Sequence, residues 1–155
     1  MKMTRFILCL VGFASLFSCG PKQTETTEIP VALQLYTVRN ELAADFLGTL
    51  CKVSEMGYDG VEFAGLNGYE PAQIKKWCDS LDLKPISAHV PLATMLADVD
   101  KVISDYKTIG CEYIAVPYVT AERRPGGELF MQMVEEIRGI GEKAKAAGLI
   151  LLYHN

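Results

Sequence analysis

The chain contains two histidines, and each closes a short apolar run: His89 follows Ile86-Ser87-Ala88, and His154 follows Ile150-Leu151-Leu152-Tyr153. Neutral imidazole ligates divalent metals and exchanges protons near neutral pH. Two imidazoles in corresponding places therefore suit a metal centre or a proton relay, although a single strand histidine is equally well explained as a hydrogen-bonded core residue. Glu62 stands between Val61 and Phe63 in another apolar run. A carboxylate there is costly to bury unless a cation, a metal or hydrogen-bond donors meet it, and the alternative is a strand edge facing solvent. Gln34 and Tyr36 alternate with Leu33 and Leu35. The two-residue period of a strand places them on one face, where they either hydrogen-bond a polyol or form an ordinary polar side. Ser87, Tyr118 and Asn155 are the other polar residues late in or just after such runs.

These side chains need strands to carry them, and the sequence has five candidate runs, at residues 31–38, 60–64, 85–90, 113–118 and 149–154. Between them, residues 42–56, 71–81, 92–109 and 128–147 have helical spacing. Leu47, Leu50 and Cys51 share one expected buried face, and Val99, Val102, Ile103 and Tyr106 share another. Alternating strand and helix signals predict βα units around a parallel sheet. Three junctions repeat one pattern, in which Gly57, Gly110 or Gly148 ends a helix shortly before the next strand. This periodicity fits both a (β/α)8 barrel and an open doubly wound sheet. The absence of a GxGxxG-type phosphate loop favours the barrel, whose reactive groups sit at the carboxyl ends of strands. A barrel of eight strands needs about 250 residues. With Tyr153-His154-Asn155 at a strand tip, the expectation is therefore an N-terminal fragment of about four and a half βα units.

The first residues read as a processing signal. Lys2 and Arg5 precede an unbroken apolar run from Phe6 to Phe17. That run is too short for a membrane span, which takes roughly 20 residues, and suits a signal-peptide core of about 7 to 15. The following Leu16-Phe17-Ser18-Cys19-Gly20 resembles the lipobox of bacterial lipoproteins, the alternative being an ordinary secretory signal with a chance cysteine. The resemblance implies a lipid on Cys19 and a membrane-anchored protein of the cell envelope. The expected organisation is a signal peptide at 1–18, a disordered Thr/Glu-rich tether at 19–29 and the barrel portion at 30–155. Without Lys2 and Arg5, thirteen Lys and Arg face nineteen Asp and Glu, a net charge near −6. Such a domain is poorly suited to nucleic acid, and its one pair of adjacent arginines, Arg123-Arg124, lies in a Pro/Gly loop. Cys51, Cys78 and Cys111 are odd in number and form no CxxC pair, so free thiols are expected.

Four stretches, taken together and in order, carry a family resemblance. Leu33-Gln34-Leu35-Tyr36-Thr37-Val38-Arg39, Gly57-Tyr58-Asp59-Gly60-Val61-Glu62-Phe63, Ser87-Ala88-His89 and Leu152-Tyr153-His154-Asn155 resemble the sugar phosphate isomerase/epimerase group with a xylose isomerase-like TIM barrel, a superfamily that also holds the family 2 AP endonucleases. The resemblance implies a sugar substrate and a divalent ion (manganese, magnesium, cobalt or zinc) at the carboxyl end of the barrel, with ligands mostly from strands five to eight. It assigns Glu62, His89 and His154 to catalysis, His154 also to the metal, and Gln34, Tyr36 and Asn155 to the substrate. Many epimerases place a ligand glutamate at the fifth strand, where this chain has His154-Asn155. The implied chemistry is proton abstraction next to a carbonyl. A sugar-binding lipoprotein on the same barrel and an apurinic nuclease are the competing readings, the second disfavoured by the acidic balance. A half barrel exposes unpaired strand edges and is expected to be inactive and prone to association by itself.

Overall fold

Parallel strands cannot be joined by a tight turn, so each requires a crossover that carries the chain back to the same end of the sheet. In the computed structural model, which describes residues 29–154, these crossovers are helical. Strand β1 (Ala32–Gln34) leads through a 3-10 turn (Leu35–Val38) into α1 (Arg39–Ala44) and α2 (Phe46–Glu55). Then follow β2 (Gly60–Phe63), α3 (Pro71–Ser80), β3 (Lys84–His89), α4 (Leu92–Ala97) and α5 (Val99–Ile109). Strand β4 (Tyr113–Val116), a second 3-10 turn (Ala121–Arg123), α6 (Phe130–Ala146) and β5 (Ile150–Tyr153) complete the described chain. All strand pairings are parallel, and the order across the sheet is β1-β2-β3-β4-β5. A doubly wound sheet reverses its strand order at a switch point; a sequential order without reversal is the pattern of a barrel. The pairs α2–α3, α3–α5 and α5–α6 pack against one another, as neighbours in an outer helical layer do.

Two expected helices are each broken in two, by the same device. Asp45 is extended (φ −154°, ψ 95°) and its carboxylate accepts the amide of Gly48. Asp98 is extended (φ −158°, ψ 83°) and accepts the amide of Lys101. An aspartate that satisfies a free first-turn N–H starts a helix, and its extended backbone ends the one before. Because α2 begins at Phe46, its buried stripe is Phe46, Leu50 and Val53, at i, i+4 and i+7. Leu47 and Cys51 therefore lie off the buried face, with Leu47 37% exposed. Helix α5 buries Val102, Ile103, Tyr106 and Ile109, close to the face expected from its spacing. It stops at Gly110, whose φ of 104° is the left-handed cap that a residue with a Cβ adopts only at a cost.

The first strand is shorter than its apolar run. Gln34 caps the 3-10 turn, its side-chain oxygen accepting the Tyr36 amide at 2.6 Å, so the chain leaves the sheet after Gln34. The two-residue period does not extend to Tyr36. Strand β3 carries an irregularity too: Val61 pairs with Pro85, but Glu62 pairs with Ser87, leaving Ile86 as an extra residue. Proline has no N–H to give an interior ladder and is confined to edges and bulges, and here the bulge follows it directly.

The core lies between sheet and helices. Val61, Phe63, Ala88, Ile114 and Val116 from the strands meet Leu50, Ile74 and Ile109 from the helices, all essentially inaccessible. Cys78 and Cys111 belong to this core as free thiols, and Cys51 is a half-buried free thiol. Burial raises the Cys78 thiol to about 11 and that of Cys111 to about 12. Both stay protonated at pH 8, so neither should react with Ellman's reagent in the native protein at that pH, and both should react promptly in denaturant. A second test probes the tightest strand contact. A Cβ built on Gly60 would lie 2.6 Å from the Lys84 carbonyl oxygen and 2.9 Å from Ile86 Cδ1. Gly60→Ala should lower stability by about 1 to 3 kcal/mol, read from the urea midpoint, because β2 and β3 must separate to admit it.

Candidate functional site

The bulge decides what stands beside Glu62. Paired residues of a parallel ladder point to the same face, and the register puts Gln34, Glu62 and Ser87 in one row across β1, β2 and β3. Without the extra residue, Ile86 would occupy the third place. Ser87 is 5% exposed, and its hydroxyl donates a short hydrogen bond to Glu62 Oε2. The other carboxylate oxygen, Oε1, lies 3.1 Å from His89 Nε2, with the two side chains 25% and 18% exposed respectively. His89 is two residues beyond Ser87 on the same face, and its Nδ1 lies 3.3 Å from Gln34 Nε2. Glu62 is thus neither unpaired in an apolar run nor at a solvent edge. It is a carboxylate satisfied by two donors from β3, and a hydrogen bond to a charged group contributes about 1.5 to 3 kcal/mol.

His154 joins the cluster from the far side of β4. Its amide donates to the Val116 carbonyl at 3.0 Å, which continues the β5 ladder by one residue. Its ring meets that of His89 edge to face, with centroids 5.2 Å apart and planes at 81°. Among the described residues the His154 ring nitrogens have no hydrogen-bond partner, whereas both nitrogens of His89 do. The two histidines therefore differ in what they offer: one ring is engaged on both sides and the other is open.

Gln34, Tyr36, Thr37, His89, Tyr118 and His154 line one cavity of about 580 Å³ at the carboxyl ends of the strands. Its polar groups converge from the ends of β1, β3, β4 and β5 and the segments just after them, and among the described residues its lining holds no Lys or Arg. Tyr36 and Tyr118 are 59% and 61% exposed. Arg39 stacks on Tyr36, its guanidinium carbon 4.5 Å from the ring centroid, and Nη1 donates to the Tyr36 carbonyl at 3.0 Å. Among the described residues this mouth is polar and partly aromatic.

A metal ion fits these residues poorly. Among the described residues no group of three or more His, Cys, Asp and Glu side chains is arranged to hold one. Glu62 and both nitrogens of His89 already have partners, which leaves His154 as the open donor. Asn155 and Cys19, together with the expected signal peptide and nearly all of the tether, lie outside the described residues. Residue type and spacing do not single out the Ser87–Glu62 contact. The signal for it is Pro85, whose place inside a strand run announces a bulge and hence a shifted register.

Comparison with known proteins places this geometry. No family model matches the chain, and no curated protein matches it. Solved structures do. A sugar phosphate isomerase/epimerase from Parabacteroides distasonis is 22% identical with a TM-score of 0.68, over 85% of this chain and 53% of that one. A family 2 AP endonuclease from Brucella melitensis is 17% identical with a TM-score of 0.63, over 81% of this chain and 55% of that one. The IolI protein, solved with a bound zinc atom, is 15% identical with a TM-score of 0.63, over 81% of this chain and 51% of that one. The chain thus spans about half the length of the solved structures it matches. Its fold is that of the xylose isomerase-like TIM barrel, in the part that carries the first described strands and one side of the mouth.

Proposed function

We propose that this chain is part of a sugar isomerase or epimerase that moves a proton on a carbon next to a carbonyl. The observation that carries this reading is the meeting of His154, His89 and the Ser87-held carboxylate of Glu62 at the carboxyl ends of parallel strands, beside a cavity of about 580 Å³. In a barrel that position collects reactive groups from separate strands. Moving a proton from carbon requires an acid/base that can reach it and donors that stabilise the oxygen on which charge develops. His154, with an open ring, is the acid/base or, among the described residues, the available metal ligand. Tyr36, Tyr118 and Thr37 line the space for the sugar.

The divalent metal implied by the resemblance would draw on His154 together with donors outside the described residues. Metal content of the complete protein, measured by elemental analysis, should be stoichiometric in the wild type and largely lost in His154→Ala. Unchanged metal in the variant would remove His154 from the ligand set. Activity is read by incubating a panel of free ketoses in deuterated water. Deuterium should enter the carbon next to the carbonyl, and His154→Ala should slow that exchange by about 10²- to 10⁴-fold, the contribution of a positioned acid/base. A competing reading, a sugar-binding protein on the same barrel, is favoured by the complete mutual engagement of Glu62 and His89. Saturable sugar binding without exchange would establish it.

The envelope location is proposed on the N-terminal sequence. The basic start, the apolar run and Cys19 support lipidation there, with residues 20–29 as the spacer from membrane to domain. Labelled palmitate should enter the full-length protein expressed in a bacterial host, and Cys19→Ser should abolish the label and release the protein from the membrane fraction.

A further inference from the structure

The amide of Gln34 fixes the proton of His89. A glutamine side chain can be turned end for end, exchanging a donor for an acceptor, and an imidazole can carry its proton on either nitrogen. Neither freedom remains here. The Gln34 side-chain oxygen accepts the Tyr36 backbone N–H at 2.6 Å, and turning the amide would set its NH2 against that N–H. Nε2 of Gln34 therefore faces His89 Nδ1, at 3.3 Å, as a donor. A nitrogen that accepts a hydrogen bond carries no proton, so the ring proton is on Nε2, which lies 3.1 Å from the Glu62 carboxylate and donates to it.

The result is one directed chain of hydrogen bonds, from the Tyr36 amide to Gln34, from Gln34 to His89 and from His89 to Glu62, with Ser87 donating to the other carboxylate oxygen. We infer that Gln34, donating to one side of the ring while Glu62 accepts from the other, holds His89 in a single tautomer, and that His89 is a positioning residue rather than a ligand or proton carrier. Its ring, held on both nitrogens, is the fixed edge-to-face surface against which the open ring of His154 is oriented. The catalytic consequence rests on the proposed isomerase reading; the tautomer does not. The backbone origin of the chain explains how a surface-level feature reaches the cluster: the same Gln34 oxygen that ends β1 and caps the 3-10 turn also orients the amide towards His89.

The test is ¹⁵N NMR of the complete protein labelled at histidine, using long-range correlations from the ring carbon-bound protons. In the wild type, His89 should show an unprotonated Nδ1 and a protonated Nε2; a protonated Nδ1 overturns the assignment without need of any variant. In Gln34→Glu the new carboxylate can only accept, so Nδ1 of His89 should gain a proton, and an unprotonated Nδ1 in a folded variant would count against the mechanism. Glu62→Ala, which removes the acceptor at Nε2 and leaves the Gln34 donor facing Nδ1, should keep Nδ1 unprotonated; a protonated Nδ1 in that folded variant also overturns it. For the positioning role, Gln34→Glu should lower kcat about 10- to 100-fold with little change in KM, as loss of an outer support does. An unchanged kcat beside an altered tautomer would refute that role alone, and a protein with no isomerase activity would leave the tautomer result standing while refuting the proposed function.

Discussion

A carboxylate placed between two fully buried neighbours is the constraint on which this molecule turns. Val61 and Phe63 must face the helices, and the alternation of a strand then sends Glu62 to the opposite face, inside the curve of the sheet. There it must find donors, because the cost of leaving a buried ionised group unsatisfied exceeds what any single apolar contact returns. The donors come from β3, and they reach Glu62 because the Pro85–Ile86 irregularity advances β3 by one residue. One extra residue exchanges an isoleucine for a serine beside the carboxylate and brings His89 into reach. The bulge that a proline tolerates is thus what converts a strand pairing into a polar cluster.

The helical layer is built by a different device with the same logic. Asp45 and Asp98 each end one short helix and begin the next by answering a free amide of the new first turn. The breaks rotate the buried stripe of α2 so that Phe46, Leu50 and Val53 reach the sheet. They also leave short first segments, α1 after the 3-10 turn that follows β1 and α4 shortly after β3. Two of the cavity residues, Tyr36 and Thr37, lie in the turn that precedes α1. Surface ion pairs contribute less to this arrangement. Lys75–Asp79 and Lys101–Asp105 are i, i+4 pairs with exposed lysines, and solvent screens such pairs so that they add little.

The sheet is covered on its helical side and open on the other. Ile150 and Leu152 of β5, on the face away from the helices, are 54% and 42% exposed, in a strand whose apolar character suits burial. In a closed barrel the inner face of every strand is packed by the strands opposite. The polar cluster therefore sits at the rim of a surface only half enclosed among the described residues, which is why the cavity is lined from one side.

The sequence alone determined the strand and helix alternation, the parallel class, the glycine stops and the short list of polar residues at strand ends. Each follows from local physics: periodicity of two or 3.6, a left-handed cap, an isolated polar residue in an apolar run. The resemblance in four ordered stretches added the barrel, and the unreversed strand order agrees with it. Tertiary structure decided the rest. It chose between a solvent edge and a satisfied interior for Glu62, because its partners lie 25 and 27 residues away and depend on a register that no single strand specifies. It also separated the two histidines, which residue type and run position leave equivalent. Gln34 reaches His89 across 55 residues of chain, while the ring of His154 meets the His89 ring edge to face. A sequence can nominate the groups at a barrel mouth; which of them is engaged and which is open depends on distances that only the assembled sheet fixes.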